Sequence, residues 1–399
     1  MGQPLSEGSA REVLSVFLRL GLTAFGGPAA HTGLLRDAVV RRRAWIDDTE
    51  FLELVAATNV IPGPNSTELA LSLGRRRAGW RGFAAAGIGF ILPACLLTLV
   101  LAWLAVGAAT SQAASTLLEA IDPIIVAILA WSVIGLGRSL GRRPLRLVVA
   151  AVAAVAYLGG VAELAILALG AAAIAAAHAA GVAGSTRPRQ DAGTGDGGLA
   201  WVGPAAATGA LAAAASVAPV ALGPLFLVFL KVGALLFGSG YVLVAFLRSD
   251  LVDGLGWLTE GQLLDAVAAG QLTPGPLTST ATYIGYLLAG LPGAIVATIG
   301  IFSPAFVFVA LLDPIVRAIR TRPLARATLD GAAAAALGLM AGVTVSLGIT
   351  ALLPGGSVDG VAVGIVVAAL LLLGSGRVGP TLLVLAGVTL GALRIVLGS

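Results

Sequence analysis

The segment from Phe17 to Pro93 recurs between Phe229 and Pro304, and this duplication limits what the chain can fold into more than any other feature. Phe17-Leu18-Arg19-x-Gly21-x3-Phe25-Gly26 returns as Phe229-Leu230-Lys231-x-Gly233-x3-Phe237-Gly238. Trp45 matches Trp257, and Pro62-Gly63-Pro64 matches Pro274-Gly275-Pro276, each 212 residues further on. After one deletion the offset is 211, which pairs Pro93 with Pro304 and Glu119 with Asp330. Two apolar copies that Gly and Pro interrupt at the same points suggest a membrane transporter whose site lies between them.

The bilayer setting follows from composition. With 58% hydrophobic and 11% charged residues, the chain has too little polar surface to cover a soluble globule. Gly82 to Val106, Ile121 to Gly137 and Gly331 to Leu353 are apolar stretches of about 20 residues, the length that crosses a hydrocarbon core. The first ten residues are polar and no short apolar h-region follows, so a multi-pass protein of the inner or plasma membrane is expected. The single cysteine, Cys95, sits in an apolar span and is read as a packing residue.

Arginine clusters mark the loops. They fall at Arg36 with Arg41 to Arg43, at Arg75 to Arg81, at Arg138 to Arg146 and at Arg317 to Arg326. If the first two face the cytoplasm, Val55 to Gly74 must enter the membrane and return, turning at Pro62-Gly63-Pro64. Arg36 to Glu53 reads as an interfacial helix with Trp45 anchoring at headgroup level, so its basic cluster needs no nucleic-acid partner. In the second copy the neutral and basic loops have exchanged places, which argues for opposite orientation. The expected fold is therefore an all-α integral membrane protein of two repeats, inverted in the membrane, each with about five spans and a re-entrant Pro-Gly-Pro hairpin. Its spans begin with Val13 to Leu35, taken as one interrupted crossing. Residues 1–183 and 224–399 form the repeats. Residues 184–223 hold a Gly-rich linker and an apolar segment, Trp201 to Leu222, read as a connecting helix.

Each half offers two helix breaks. The first is Gly26-Gly27-Pro28, matched by Gly238-Ser239-Gly240, and the second is the Pro-Gly-Pro turn. A helix that restarts after a break presents free N–H groups and a positive dipole end to an anion. Behind the turns stand Asn65, Ser66 and Thr67 in one copy, and Thr278 and Ser279 in the other. These side chains can cap the new helix or donate to the oxygens of a small tetrahedral oxyanion. Of 24 lysines and arginines Lys231 is the one lysine; it mirrors Arg19 inside a span, so this pair is read as facing the anion. Glu68 has no carboxylate twin. Repelled by a bound anion, it would tend to carry a proton, which makes it the first candidate for proton coupling. His31, Glu119 and Asp330 are further candidates, although Glu119 and Asp330 begin matched spans, where acidic residues suit a helix N-terminus in any case. No metal or cofactor site is expected.

Taken together, Phe25-Gly-Gly-Pro-Ala-Ala-His31, Val40-Arg-Arg-Arg43, Ala57 to Glu68, Arg77-Ala-Gly-Trp80 and Phe90-Ile-Leu-Pro93 are similar to the signature of the chromate ion transporter family in its long, two-repeat form. Phe237-Gly-Ser-Gly-Tyr241, Gly256 to Glu260, Thr273 to Pro276 and Ile284-Gly-Tyr286 carry the resemblance in the second half. The resemblance implies chromate efflux driven by the proton or electrical gradient, with chromate resistance as the result. Residue types leave open sulfate or another oxyanion, import in place of export, and a homodimer. A membrane enzyme acting on lipid phosphates is the competing class, but it would call for acidic metal-binding clusters that neither break contains.

Overall fold

The computed structural model describes residues 8–25, 27–59, 61–108, 121–139, 144–181, 220–236, 242–312, 316, 322–353 and 357–397. All regular structure among them is helical. In the first half α1 (Ala10–Thr23) precedes α2 (Gly27–Arg36), which runs on as a π-helical turn, Asp37–Arg41. Then come α3 (Asp48–Thr58), α4 (Asn65–Ala108), α5 (Asp122–Ser139), α6 (Pro144–Leu158) and α7 (Glu163–Ala179). The second half repeats the order. Here α8 (Leu222–Leu235) precedes α9 (Leu243–Leu247), which continues as a π-helical turn, Arg248–Gly254. They are followed by α10 (Glu260–Leu272), α11 (Thr280–Ala310), α12 (Pro323–Leu352), α13 (Gly360–Gly374) and α14 (Pro380–Leu397).

Local chemistry sets these boundaries. Asp47 accepts from the Glu50 amide to cap α3, and the matched Thr259 forms a capping box with Gln262 on α10. Before α3 the chain bends through Ala44, which lies at φ 48°. The expected continuous helix from Arg36 to Glu53 is thus broken. Trp45 is also not a headgroup anchor: it is 3% exposed, donates to Glu12 Oε1 at 3.0 Å and lies under the Arg77 guanidinium.

That Trp45–Glu12 bond overturns one expected span. A straight helix would separate the two residues by about 50 Å at 1.5 Å per residue. Instead α1 and α2 fold back on each other around residues 24–26, so Val13 to Leu35 is a hairpin and not a crossing. The second half does the same, because Lys231 of α8 pairs with Asp250 across residues 237–241. The Pro-Gly-Pro hairpin forms as expected, with longer limbs: Arg76 on α4 bonds Glu50 on α3 at 2.5 Å, symmetrically about Gly63.

After this hairpin α4 doubles back at Ala78-Gly79 and α11 at Ala289-Gly290, with Gly79 at φ 58° and Gly290 at φ 61°. Combined with ψ −147° and −152°, such positive φ suits glycine alone. The limbs then press so closely that a Cβ on Gly74 would overlap the Gly82 carbonyl, and one on Gly285 would overlap the Gly293 carbonyl. Because backbone and not a flexible side chain is in the way, Gly74→Ala or Gly285→Ala is expected to lower stability by about 3 kcal/mol. Thermal unfolding in detergent checks this, and an unchanged melting temperature would count against the close packing.

By length and composition, Asn65–Gly107, Leu277–Ala310 and Pro323–Leu352 can cross a membrane. With the composition, they mark the protein as an all-α membrane protein. The outer limbs of α4 and α11 pack in opposite directions: Phe83 meets Phe306 with ring centroids 5.4 Å apart, whereas Cys95 lies beside Thr282 and Thr298. Around this pair the halves exchange helices. α12 packs against α6 and α7 of the first half, and α13 against α5. Small residues allow the closeness, since a Cβ on Gly338 would overlap the Ala150 carbonyl.

Candidate functional site

Hairpin tips of the two halves meet in pairs. α1 is capped by Ala24 and α8 by Leu236, both with ψ outside the helical range (85° and 96°), so each leaves a carbonyl free of its helix. Those carbonyls are taken by the opposite repeat. Gly63 N–H donates to Leu236 O at 2.5 Å, and Gly275 N–H donates to Ala24 O at 2.8 Å. The two bonds are related by the 212-residue offset, so they form a reciprocal pair. Gly63 and Gly275 can turn this way because they sit at φ 145° and 96°.

His31 reinforces one of these contacts. Its Nε2 lies 3.0 Å from Ala24 O, and a carbonyl can only accept, so Nε2 carries the proton. The ring is 3% exposed, stands edge-on to Phe90, and its Nδ1 has no partner among the described residues.

Beyond the Pro-Gly-Pro turn α4 starts at Asn65, and Ser66, Thr67 and Glu68 are all buried. The Glu68 side chain turns back so that a Cβ on Gly63 would overlap its Oε1. Neither carboxylate oxygen has a partner among the described residues, and Thr67 Oγ1 has none either. The Thr278 hydroxyl is likewise buried, with no partner among the described residues. In the second repeat the chain is one residue shorter here, so Leu277–Ser279 forms a 3-10 turn before α11 begins. Thr273 Oγ1 then meets Thr98 Oγ1 of the first repeat at 3.2 Å and Ser279 Oγ at 3.4 Å. The tips thus gather restarting helices, orphan hydroxyls and one carboxyl, a set able to donate to oxygens and to hold or release a proton.

Other expected residues lie elsewhere. Arg19 is exposed. The Lys231 ammonium is held by Asp250, a partner that escaped sequence reading although Asp250 replaces the matched Ala38, as Lys231 replaces Arg19. Asp330 pairs with Arg146 of α6, as a structural contact between the halves. Pro62 and Pro64, with Pro274 and Pro276, flank the two turning glycines, and Gly27 and Pro28 open α2. Gly26, Glu119, Gly238, Ser239 and Gly240 lie outside the described residues, as do the linker and residues 201–219.

Asp250 is 14% exposed on its side chain, and Lys231 37%. Lys231→Met is therefore expected to lower stability by roughly 1–3 kcal/mol by leaving an enclosed anion unpaired. Lys231→Met with Asp250→Leu should recover most of that loss. Melting curves of the three proteins check this, and a single variant as stable as wild type would refute it.

The family described as chromate transporter matches residues 11–177 and 223–392. A chromate transport protein of Pseudomonas aeruginosa is 32% identical over 84% of this chain and 80% of its own length. One from Cupriavidus metallidurans is 30% identical, covering 84% of this chain and 82% of the relative. An uncharacterized transporter of Methanocaldococcus jannaschii is 26% identical over 84% of each. No solved structure matches. With both repeats matched, and relatives similar along most of its length, the chain belongs to the chromate transporter family.

Proposed function

We propose that the protein is a secondary active transporter that exports chromate across the cytoplasmic membrane and so confers chromate resistance. The observation that carries this reading is the reciprocal pair of bonds, Gly63 to Leu236 and Gly275 to Ala24, which ties the end of the first helix of each repeat to the Pro-Gly-Pro turn of the other. A substrate held there, by the restarting helices and by Asn65, Ser66, Thr67, Thr278 and Ser279, would touch both repeats at once. Movement of one repeat against the other could then expose it to alternate sides. Glu68 is the proton-coupling group in this scheme, since a carboxyl beside a bound anion gains from a proton and releases it as the anion leaves.

The opposed directions of α4 and α11 support inverted repeats, with residues 1–183 and 224–399 as the units and 184–223 joining them. Each unit then carries two re-entrant hairpins ahead of its spans. The names of the Pseudomonas and Cupriavidus relatives favour chromate. Sulfate, of like shape and charge, would use the same donors, and import would use the same path.

The test is chromate flux into proteoliposomes of the purified protein, with and without a pH gradient, and with excess sulfate. Gradient-driven chromate movement supports the proposal. Sulfate movement without chromate movement would keep the transporter and change its substrate; no flux of either would sink it.

A further inference from the structure

The helical face that carries Glu68 leads outward to a polar cavity, which the transport reading leaves without a role. It measures about 260 Å3 and is lined by Leu54, Ser72, Arg75, Arg76, Val309 and Leu312. At about 30 Å3 per water, this is room for a compact anion with several waters. Ser72, one helical turn beyond Glu68, is 4% exposed, and its Oγ has no partner among the described residues. An enclosed hydroxyl left unpaired is unfavourable, so the position favours a ligand.

The cavity wall supplies the charge such a ligand needs. Arg75 Nη1 donates to Val309 O at 3.2 Å and Ala310 O at 3.0 Å, and its guanidinium lies 4.4 Å from the Trp80 ring centroid. These contacts fix the group without neutralising it. Arg76 stands exposed at the rim and shares its charge with Glu50. Among the described lining residues and their partners, two cations face one carboxylate, so this wall is positive.

We propose that this cavity is an entry site for a doubly charged tetrahedral oxyanion, bound by Ser72 Oγ and the remaining N–H groups of Arg75, on one face of the protein only. The sidedness comes from the duplication. The positions 211 residues beyond Ser72, Arg75 and Arg76 are Tyr283, Tyr286 and Leu287, which carry no cation. A positive mouth concentrates anions on its own face and speeds their capture there. The inference rests on the transport reading and adds where the substrate enters.

The experiment compares chromate uptake by right-side-out and everted membrane vesicles carrying wild type, Ser72→Ala or Arg76→Gln. In the orientation that presents the cavity, Ser72→Ala should raise the half-saturating chromate concentration about tenfold at an unchanged maximal rate. Arg76→Gln, at an exposed rim position, should shift it less in the same direction. The opposite orientation should match wild type for both. Wild-type kinetics for both variants in both orientations, or equal shifts in the two, would overturn the entry site while leaving transport intact. Absence of wild-type uptake would instead defeat the transport reading.

Discussion

Glu68→Gln is expected to abolish the response of transport to an imposed pH gradient and to leave the protein at least as stable as wild type. Glu68 is fully buried, and neither of its oxygens has a partner among the described residues. Enclosed charge without a partner is expensive, so an amide of the same shape should be neutral or stabilising. If one proton moves per cycle through this carboxyl, a gradient of one pH unit supplies about 1.4 kcal/mol, enough for roughly tenfold accumulation. The amide cannot carry that proton. Proteoliposomes with the variant should therefore equilibrate chromate without concentrating it, whatever the gradient. Full gradient-driven accumulation by Glu68→Gln would remove Glu68 from the coupling mechanism.

Gly63→Ala should cost about a hundredfold in transport rate. At φ 145° a side chain is strained, by roughly 1–3 kcal/mol. The added methyl would also overlap Glu68 Oε1, so either the carboxyl or the turn must move. A moved turn shifts the amide that bonds Leu236, and displacements of about 1 Å in a positioned site cost about 100-fold. Gly275→Ala faces a similar conflict, with φ 96° and a Cβ 2.9 Å from that of Ala94. Comparing the Gly63→Ala, Glu68→Ala double variant with Glu68→Ala alone separates the causes, because the overlap is absent from both and only the backbone strain differs. Initial rates of chromate flux with matched protein amounts provide the measurement, and a Gly63→Ala protein at wild-type speed would show that this turn is not part of the path.

Much of this was legible in sequence because duplication prints each structural event twice. The Pro-Gly-Pro turns, the breaks after Thr23 and Leu235, and the unpaired Glu68 all showed as matches or mismatches at a fixed offset. What escaped was long-range. A broken span and a hairpin tip share the same local pattern, so nothing near Gly26 distinguishes them; the Trp45–Glu12 contact decides, across 33 residues. Backbone carbonyls carry no residue signature, which hid the roles of Ala24 and Leu236. Lys231 looked free because its partner, Asp250, lies across a tip. The one-residue deletion was visible, but its effect, a 3-10 turn ahead of α11, depends on how the shortened segment packs under Gly270, where a Cβ would overlap Thr280 Oγ1.

The crossed bonds at the tips also bear on how the protein is made. While the first half leaves the ribosome, Gly63 has no carbonyl to donate to and α6 and α7 have no α12 to pack on, because those partners are still unsynthesised. The finished site is thus a late product of biogenesis, completed only when the second half inserts and the halves interlock. A gene cut within the linker need not destroy the protein, provided that both products are present in one bilayer in the orientations they hold here; either alone would be left with open tips.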